Sequence, residues 1–245
     1  MKKIIIANWK MQLSLKESLV LARGYVKKLN LQKNEIVVCP DYAALAFLAP
    51  IFKNTNIALG AQDCAFSAKG AYTGEVSPLN IQSLGAKYVI LGHSERREYL
   101  KEDSVLINQK IKVALENKLV PVFCIGERLA EKRAGKTKEY LLQELRQGLK
   151  GLKIKTVNDL IIAYEPVWAI STNKGAKPIS CSEADEIQKF IKEQAQKILQ
   201  KKVRVLYGGS VKAENAADFL AQAHIDGLLV GGASLQVKDF SIITN

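Results

Sequence analysis

Eight short apolar runs recur along the 245-residue chain, each followed by a stretch of helical spacing, and this alternation constrains the fold more than any other feature. The runs are Ile4–Ala7, Glu35–Cys39, Ile57–Ala61, Tyr88–Leu91, Val120–Ile125, Leu160–Tyr164, Val203–Tyr207 and Gly227–Val230. They are largely apolar and often β-branched, as expected of strands buried on both faces of a parallel sheet. Between them apolar residues step by three and four. Leu15, Leu19, Ala22, Val26 and Leu29 form one such series, and Ile187, Phe190, Ile191, Ala195 and Ile198 another. Ile107, Ile111, Ala114 and Leu115 mark a third helix, and Leu141, Leu142, Leu145 and Leu149 a fourth. Ser77-Pro78 supplies an N-cap and a proline at the first helical position. Ser180 followed by Glu183 has the spacing of a capping box. Repeated strand–helix units predict the α/β class, and eight of them in this length predict one closed (β/α)8 barrel rather than an open doubly wound sheet. No linker or shift in composition divides the chain, so residues 1–245 are read as a single domain.

A composition of 48% hydrophobic and 24% charged residues is that of a globular protein. No apolar run reaches the ~18 residues of a membrane span. Lys plus Arg outnumber Asp plus Glu by 36 to 24, a formal net charge of +12. Such a balance favours anionic partners, either nucleic acid or a small acidic substrate. The lysines are spread along the chain, with no zinc-finger spacing, no RNP aromatic pattern and no basic tail. They are read as solvated helix faces, and neither a nucleic acid nor a membrane is expected as partner. Cys39, Cys64, Cys124 and Cys181 form no C-x-x-C pair, which suits a reducing compartment. The apolar start at Ile4–Ile6 stops at Asn8 and Lys10, too early for a signal peptide. It is read as the first strand of a cytoplasmic protein.

In a barrel of this kind the chemistry gathers where strands end. Strand one runs into Asn8 and Lys10, strand four into Gly92, His93, Ser94 and Glu95, strand six into Glu165 and Pro166, strand seven into Gly208, Gly209 and Ser210, and strand eight into Gly231 and Gly232. A carboxylate at the mouth of an apolar barrel suits a general base, and Pro166 holds Glu165 extended. A structural ion pair would use the same residue type. His93 lies just before Ser94, the expected N-cap of a helix through Glu95-Arg96-Arg97. A helix N-terminus disfavours positive charge and keeps an imidazole neutral; a buried structural histidine is the alternative. Lys10 could bind a phosphate or stabilise an enolate oxygen, or be surface decoration. The glycine pairs let backbone N–H groups approach an anion, and are otherwise ordinary turns. Gly135-Lys136-Thr137 lacks the earlier glycine of a P-loop. Two separated histidines and dispersed cysteines give no metal cage. No cofactor and no metal are expected.

Six stretches then carry a resemblance. They are Ala7-Asn8-Trp9-Lys10-Met11, Gly70–Ser77, Leu91–Arg97, Ala163–Ile170, Tyr207–Val211 and Val230–Leu235. In this order they resemble the triosephosphate isomerase family over essentially the whole chain, and the resemblance implies a TIM barrel. It further implies interconversion of dihydroxyacetone phosphate and D-glyceraldehyde 3-phosphate through an enediol(ate), in glycolysis and gluconeogenesis. Glu165 would be the base, His93 the neutral electrophile, and Lys10 the cation that stabilises negative charge. Asn8 would hold substrate oxygens, with Glu95 supporting His93 and Lys10. Backbone groups at Ser171, Ser210, Gly231 and Gly232 would hold the phosphate, and 166–176 would be a closing lid. A homodimer is implied, with Met11 and Thr73 at its interface. The lid departs from the family's Ile-Gly-Thr-Gly-Lys pattern: it reads Ile170-Ser171-Thr172-Asn173-Lys174, which bears on lid closure rather than on the reaction. A Schiff-base aldolase using Lys10 and a basic nucleic-acid-binding protein without activity are the rival readings.

Overall fold

The computed structural model describes residues 2–169 and 179–245. Eight parallel strands close into one barrel in the order β1 to β8. These are β1 (Ile4–Asn8), β2 (Glu35–Cys39), β3 (Ile57–Ala61), β4 (Tyr88–Leu91), β5 (Val120–Ile125), β6 (Ile161–Tyr164), β7 (Arg204–Tyr207) and β8 (Gly227–Val230). Each strand lies within a residue of its expected limits. Both faces of every strand are covered. Ile4, Ile6, Val37, Cys39, Ile90, Val122, Cys124, Ile161, Ala163, Leu206 and Leu229 fill the barrel interior. Their neighbours Ile5, Ala7, Ile36 and Val38 face outward into the helical layer. This is why the strands read as unbroken apolar runs rather than as alternations.

The helices are α1 (Leu15–Lys28), α2 (Tyr42–Phe52), α3 (Pro78–Ser83), α4 (Ser94–Tyr99), α5 (Ser104–Glu116), α6 (Leu129–Arg133), α7 (Thr137–Gly148), α8 (Cys181–Leu199), α9 (Ala216–Leu220) and α10 (Val237–Thr244). Both helices after β4 are expected from the sequence, whereas the connection after β5 carries α6 ahead of the expected α7. Ser77 and Ser180 cap α3 and α8: Ser77 Oγ accepts from Leu79 N at 3.1 Å and Ser180 Oγ from Glu183 N at 3.2 Å. A full capping box sits instead at Ser14–Glu17, at the start of α1. The apolar stripe expected on α1 is rotated. Val26 is exposed, and the buried face runs through Ser18, Leu21, Ala22 and Tyr25. Tyr25 takes the core position because its ring stacks on Phe240 while its hydroxyl donates to the Ser234 carbonyl. Ser234 lies just beyond β8, so this contact ties α1 to the rim where the chemistry lies.

Candidate active site

The chain makes a sharp bend as it leaves β1. Lys10 has φ 53, the left-handed region that a non-glycine residue enters only at a cost of about 1–2 kcal/mol. Two side chains hold it there. Asn8 Oδ1 accepts the Lys10 N–H at 3.1 Å, and Gln62 Nε2 donates to the Lys10 carbonyl at 2.8 Å. The same Gln62 amide reaches the Cys39 carbonyl at 3.0 Å, so the end of β2 shares the clamp. Lys10 Nζ then meets Glu95 Oε1 at 2.5 Å. Asn8 therefore spends its side-chain oxygen on positioning Lys10, which leaves its NH2 group as the part able to meet a ligand.

His93 leaves β4 after Gly92, and it is His93 rather than Ser94 that caps α4. Its Nδ1 accepts the Glu95 N–H at 3.2 Å. An accepting nitrogen carries no proton, so the neutral ring holds its hydrogen on Nε2. The expected cap at Ser94 fails because the imidazole, one residue earlier, reaches the same orphan N–H groups. The Ser94 N–H is turned to a second partner and donates to Glu165 Oε2 at 3.0 Å. The other oxygen, Glu165 Oε1, stands 3.2 Å from His93 Nε2. Glu165 is 1% exposed and His93 7%, so the pair lies in a dry pocket. The Cys124 thiol beside them is held protonated by burial first and by the charge of Glu165 second.

Buried groups fix the two strand ends. Arg97 Nε donates to the Gly92 carbonyl at 2.8 Å and its Nη2 to the Cys124 carbonyl at 3.2 Å, while Nη1 pairs with Glu144 Oε1 at 3.1 Å. Glu144 Oε2 accepts the Gly126 N–H at 2.9 Å, and burial pushes its carboxyl up to about 7. Gly126 is required next to this carboxylate: a Cβ there would stand 1.7 Å from the Glu165 carbonyl oxygen. Behind Glu165, the fully buried Glu127 accepts from Trp168 Nε1 at 2.7 Å and from the Tyr164 hydroxyl at 3.2 Å. Glu127, Glu144 and Gln62 are not marked in the sequence. Each acts across strands, and no local spacing singles it out.

The cleft above these groups measures about 480 Å³ and is lined by Asn8, Lys10, His93, Glu165, Ser210, Gly231 and Gly232 among others. So the structure brings together the residues expected at the ends of strands one, four, six, seven and eight. Glu95 reaches the group through Lys10. Gly231 leads into a short 3-10 turn, Gly232–Leu235, rather than into an α-helix, and α9 begins only six residues after Ser210. Met11 (92% exposed) and Thr73 stand on the exterior instead. Ser171 and most of the expected lid lie outside the described residues.

Chemistry gathered at the C-terminal ends of eight parallel strands places the molecule in the class of (β/α)8-barrel enzymes. A family model described as Triosephosphate isomerase matches residues 3–245. A curated triosephosphate isomerase of Dictyoglomus thermophilum is 44% identical, the alignment covering 98% of this chain and 97% of that one. Another, of Carboxydothermus hydrogenoformans, is 45% identical over 99% and 97%. The crystal structure of triosephosphate isomerase from Bartonella henselae superposes with a TM-score of 0.88 at 35% identity, covering 99% of this chain and 98% of that one. The chain belongs to the triosephosphate isomerase family.

Proposed function

We propose that the chain interconverts dihydroxyacetone phosphate and D-glyceraldehyde 3-phosphate, with Glu165 and His93 as the reacting pair. The observation that carries this reading is the 3.2 Å approach of Glu165 Oε1 to His93 Nε2 within the cleft shared by Lys10, Gly231 and Gly232. In the free protein the Nε2 hydrogen points at Glu165. An entering carbonyl oxygen takes over that donor, and Glu165 Oε1 is released to remove a proton from the adjacent carbon. The developing enediolate oxygen is stabilised by His93 and by the Lys10 ammonium in a site that excludes water. His93 gives its Nε2 proton to that oxygen and takes up the hydroxyl proton of the neighbouring oxygen, and Glu165 returns its proton to the former carbonyl carbon, so the carbonyl changes carbon with no net proton consumed. A carboxylate base beside a neutral imidazole, with lid closure, is the established pattern of the triosephosphate isomerase family and not a new one.

Asn8 holds substrate oxygens through its NH2 group, and Glu95 keeps Lys10 aimed at the cleft. Ser171, Ser210, Gly231 and Gly232 supply the phosphate contacts, and segment 166–176 closes over them. The aldolase reading is weaker, since Lys10 Nζ sits on a carboxylate at 2.5 Å and a paired ammonium is a poor nucleophile. A second copy of the chain completes the molecule as a homodimer. Support for it comes from Met11, a methionine 92% exposed, and from the exposed Thr73 and Tyr72. Four free cysteines support the reducing cytoplasm, with a place in glycolysis and gluconeogenesis. A coupled isomerase assay on the purified chain beside Glu165→Ala tests the activity. The expected result is a loss of roughly 10²–10⁴ or more in kcat for the variant. A variant that turns over like the parent would refute the role of Glu165.

A further inference from the structure

The positive charge is not at the active-site mouth. Among the described residues, the connections that lead from strands into helices, helices themselves excluded, hold six basic and eight acidic residues. The connections that lead into strands on the opposite rim, with the lead to β1 counted, hold eleven lysines, two aspartates, and no arginine or glutamate. Most of the +12 therefore lies on the face away from the cleft. Seven of the eight such connections carry at least one lysine, from Lys2 and Lys33 round to Lys155 and Lys202. Lysines dispersed along the sequence are gathered into a ring, because a closed parallel barrel puts every helix-to-strand connection on one rim.

Among the described residues these lysines form no salt bridges, although Lys3 feels the charge of Asp226 and Lys155 that of Asp159. Ten of the eleven are exposed, and among the described residues none lies within salt-bridge distance of an acidic group. The two aspartates are already committed. Asp159 accepts from the Lys155 and Thr156 backbone N–H groups and from the Thr156 hydroxyl, and Asp226 accepts the Val205 N–H and pairs with Lys192 at 2.7 Å. Helix C-termini also face this rim and carry partial negative charge. Eight helices at about −0.5 each offset roughly four of the positive charges, less than half of what the lysines bring.

We propose that this rim docks the protein on an anionic lipid bilayer, away from the catalytic mouth. The ring shape decides the class of partner. A nucleic-acid duplex is a rod that would touch only one chord of the ring, whereas a charged plane meets the whole circumference. The exposed aromatic residues Tyr42, Phe47, Tyr72 and Tyr99 lie on helices and loops that follow strands, so none is set among the rim connections to stack on bases. Attachment is electrostatic, reversible and screened by salt.

Flotation of the full chain with phosphatidylserine–phosphatidylcholine vesicles, beside pure phosphatidylcholine vesicles, tests the proposal. The protein should float with the anionic vesicles at low salt, stay behind with the neutral ones, and be released near ~1 M salt, where screening acts over about 3 Å. Each lysine touching the surface is worth about fivefold in partition. The triple variant Lys87→Gln, Lys153→Gln, Lys202→Gln should thus lose roughly a hundredfold while keeping full isomerase turnover. The control triple Lys69→Gln, Lys101→Gln, Lys136→Gln, on the opposite rim, should bind like the parent. Failure to float at low salt, equal loss in both triples, or retention on duplex DNA with none on vesicles would each overturn the proposal.

Discussion

Two clusters of ionisable side chains are buried on the strand-end rim, and they differ in where their polar atoms go. Asp63, Glu102 and Lys110, with the part-buried Arg96, pair through one oxygen of each carboxylate, while Asp63 Oδ1 and Glu102 Oε2 are buried without a hydrogen-bond partner. Lys110 Nζ lies 2.6 Å from both Asp63 Oδ2 and Glu102 Oε1, and Arg96 Nη2 lies 2.8 Å from the same two oxygens. Burial still pushes the Asp63 carboxyl up to about 6. Glu165 and His93 are held differently, with each of their polar atoms partnered. They are held by backbone N–H groups, from Ser94 and Glu95, and meet each other at 3.2 Å in the wall of the cleft. Asp63 lines no part of that cleft. A perturbed carboxylate is thus a poor pointer to the chemistry in this molecule. The better sign is a base and a donor in the cleft wall that hold only each other and backbone N–H groups, a contact that an entering substrate can part.

Lys110 is where the two clusters should part most clearly. Lys110→Met strands two buried carboxylates on one arginine and should cost about 3–5 kcal/mol of stability. Activity per folded molecule should be retained, as read from urea unfolding beside kcat. Loss of kcat at unchanged stability would erase the distinction between the clusters.

Glu144 comes next. Its carboxyl stands at 4.5 in the unfolded chain and about 7 in the fold, so the folded state holds the proton more tightly. Its contribution to stability is most favourable below pH ~4.5, falls as pH rises through the interval up to ~7, and levels off about 3 kcal/mol lower. Glu144→Gln should flatten the stability–pH curve across that window, measured by denaturant midpoints. An unchanged slope would show that Glu144 does not titrate there.

A smaller change is expected at Gln62. Gln62→Leu removes one of the two bonds that hold the Lys10 bend, together with the link to the Cys39 carbonyl, and should cost about 1–2 kcal/mol. About a tenfold fall in kcat/KM should accompany it, and an unaltered rate would show that the bend survives without its clamp.

What is local or periodic is legible in the sequence. Strand limits, the Ser77 and Ser180 caps and the strand-end residues all follow from patterns within a few positions. The Ser14–Glu17 box obeys the same spacing rule, although the structure was needed to bring it out. What stays hidden depends on closure of the barrel. Gln62 matters because Lys10 is bent, and Glu144 because Gly126 and Arg97 lie at neighbouring strand ends. The lysine ring looks like scattered decoration in chain order, since adjacency around a rim is invisible there. The His93 cap is hidden for a subtler reason: serine is the usual cap, and an imidazole one residue earlier gives no capping signal of its own.

Glu165 moves the proton while His93 donates from Nε2, and everything said of the cleft depends on that division of labour. Conversion of dihydroxyacetone phosphate in D2O, followed by NMR, tests it most directly when the parent is set beside Glu165→Gln, which keeps the size of the side chain but cannot act as a base. The parent should place solvent deuterium at the carbon beside the carbonyl, and the variant should slow that exchange by about 10³-fold or more at unchanged fold. Deuterium uptake at the parental rate in Glu165→Gln would contradict the assignment.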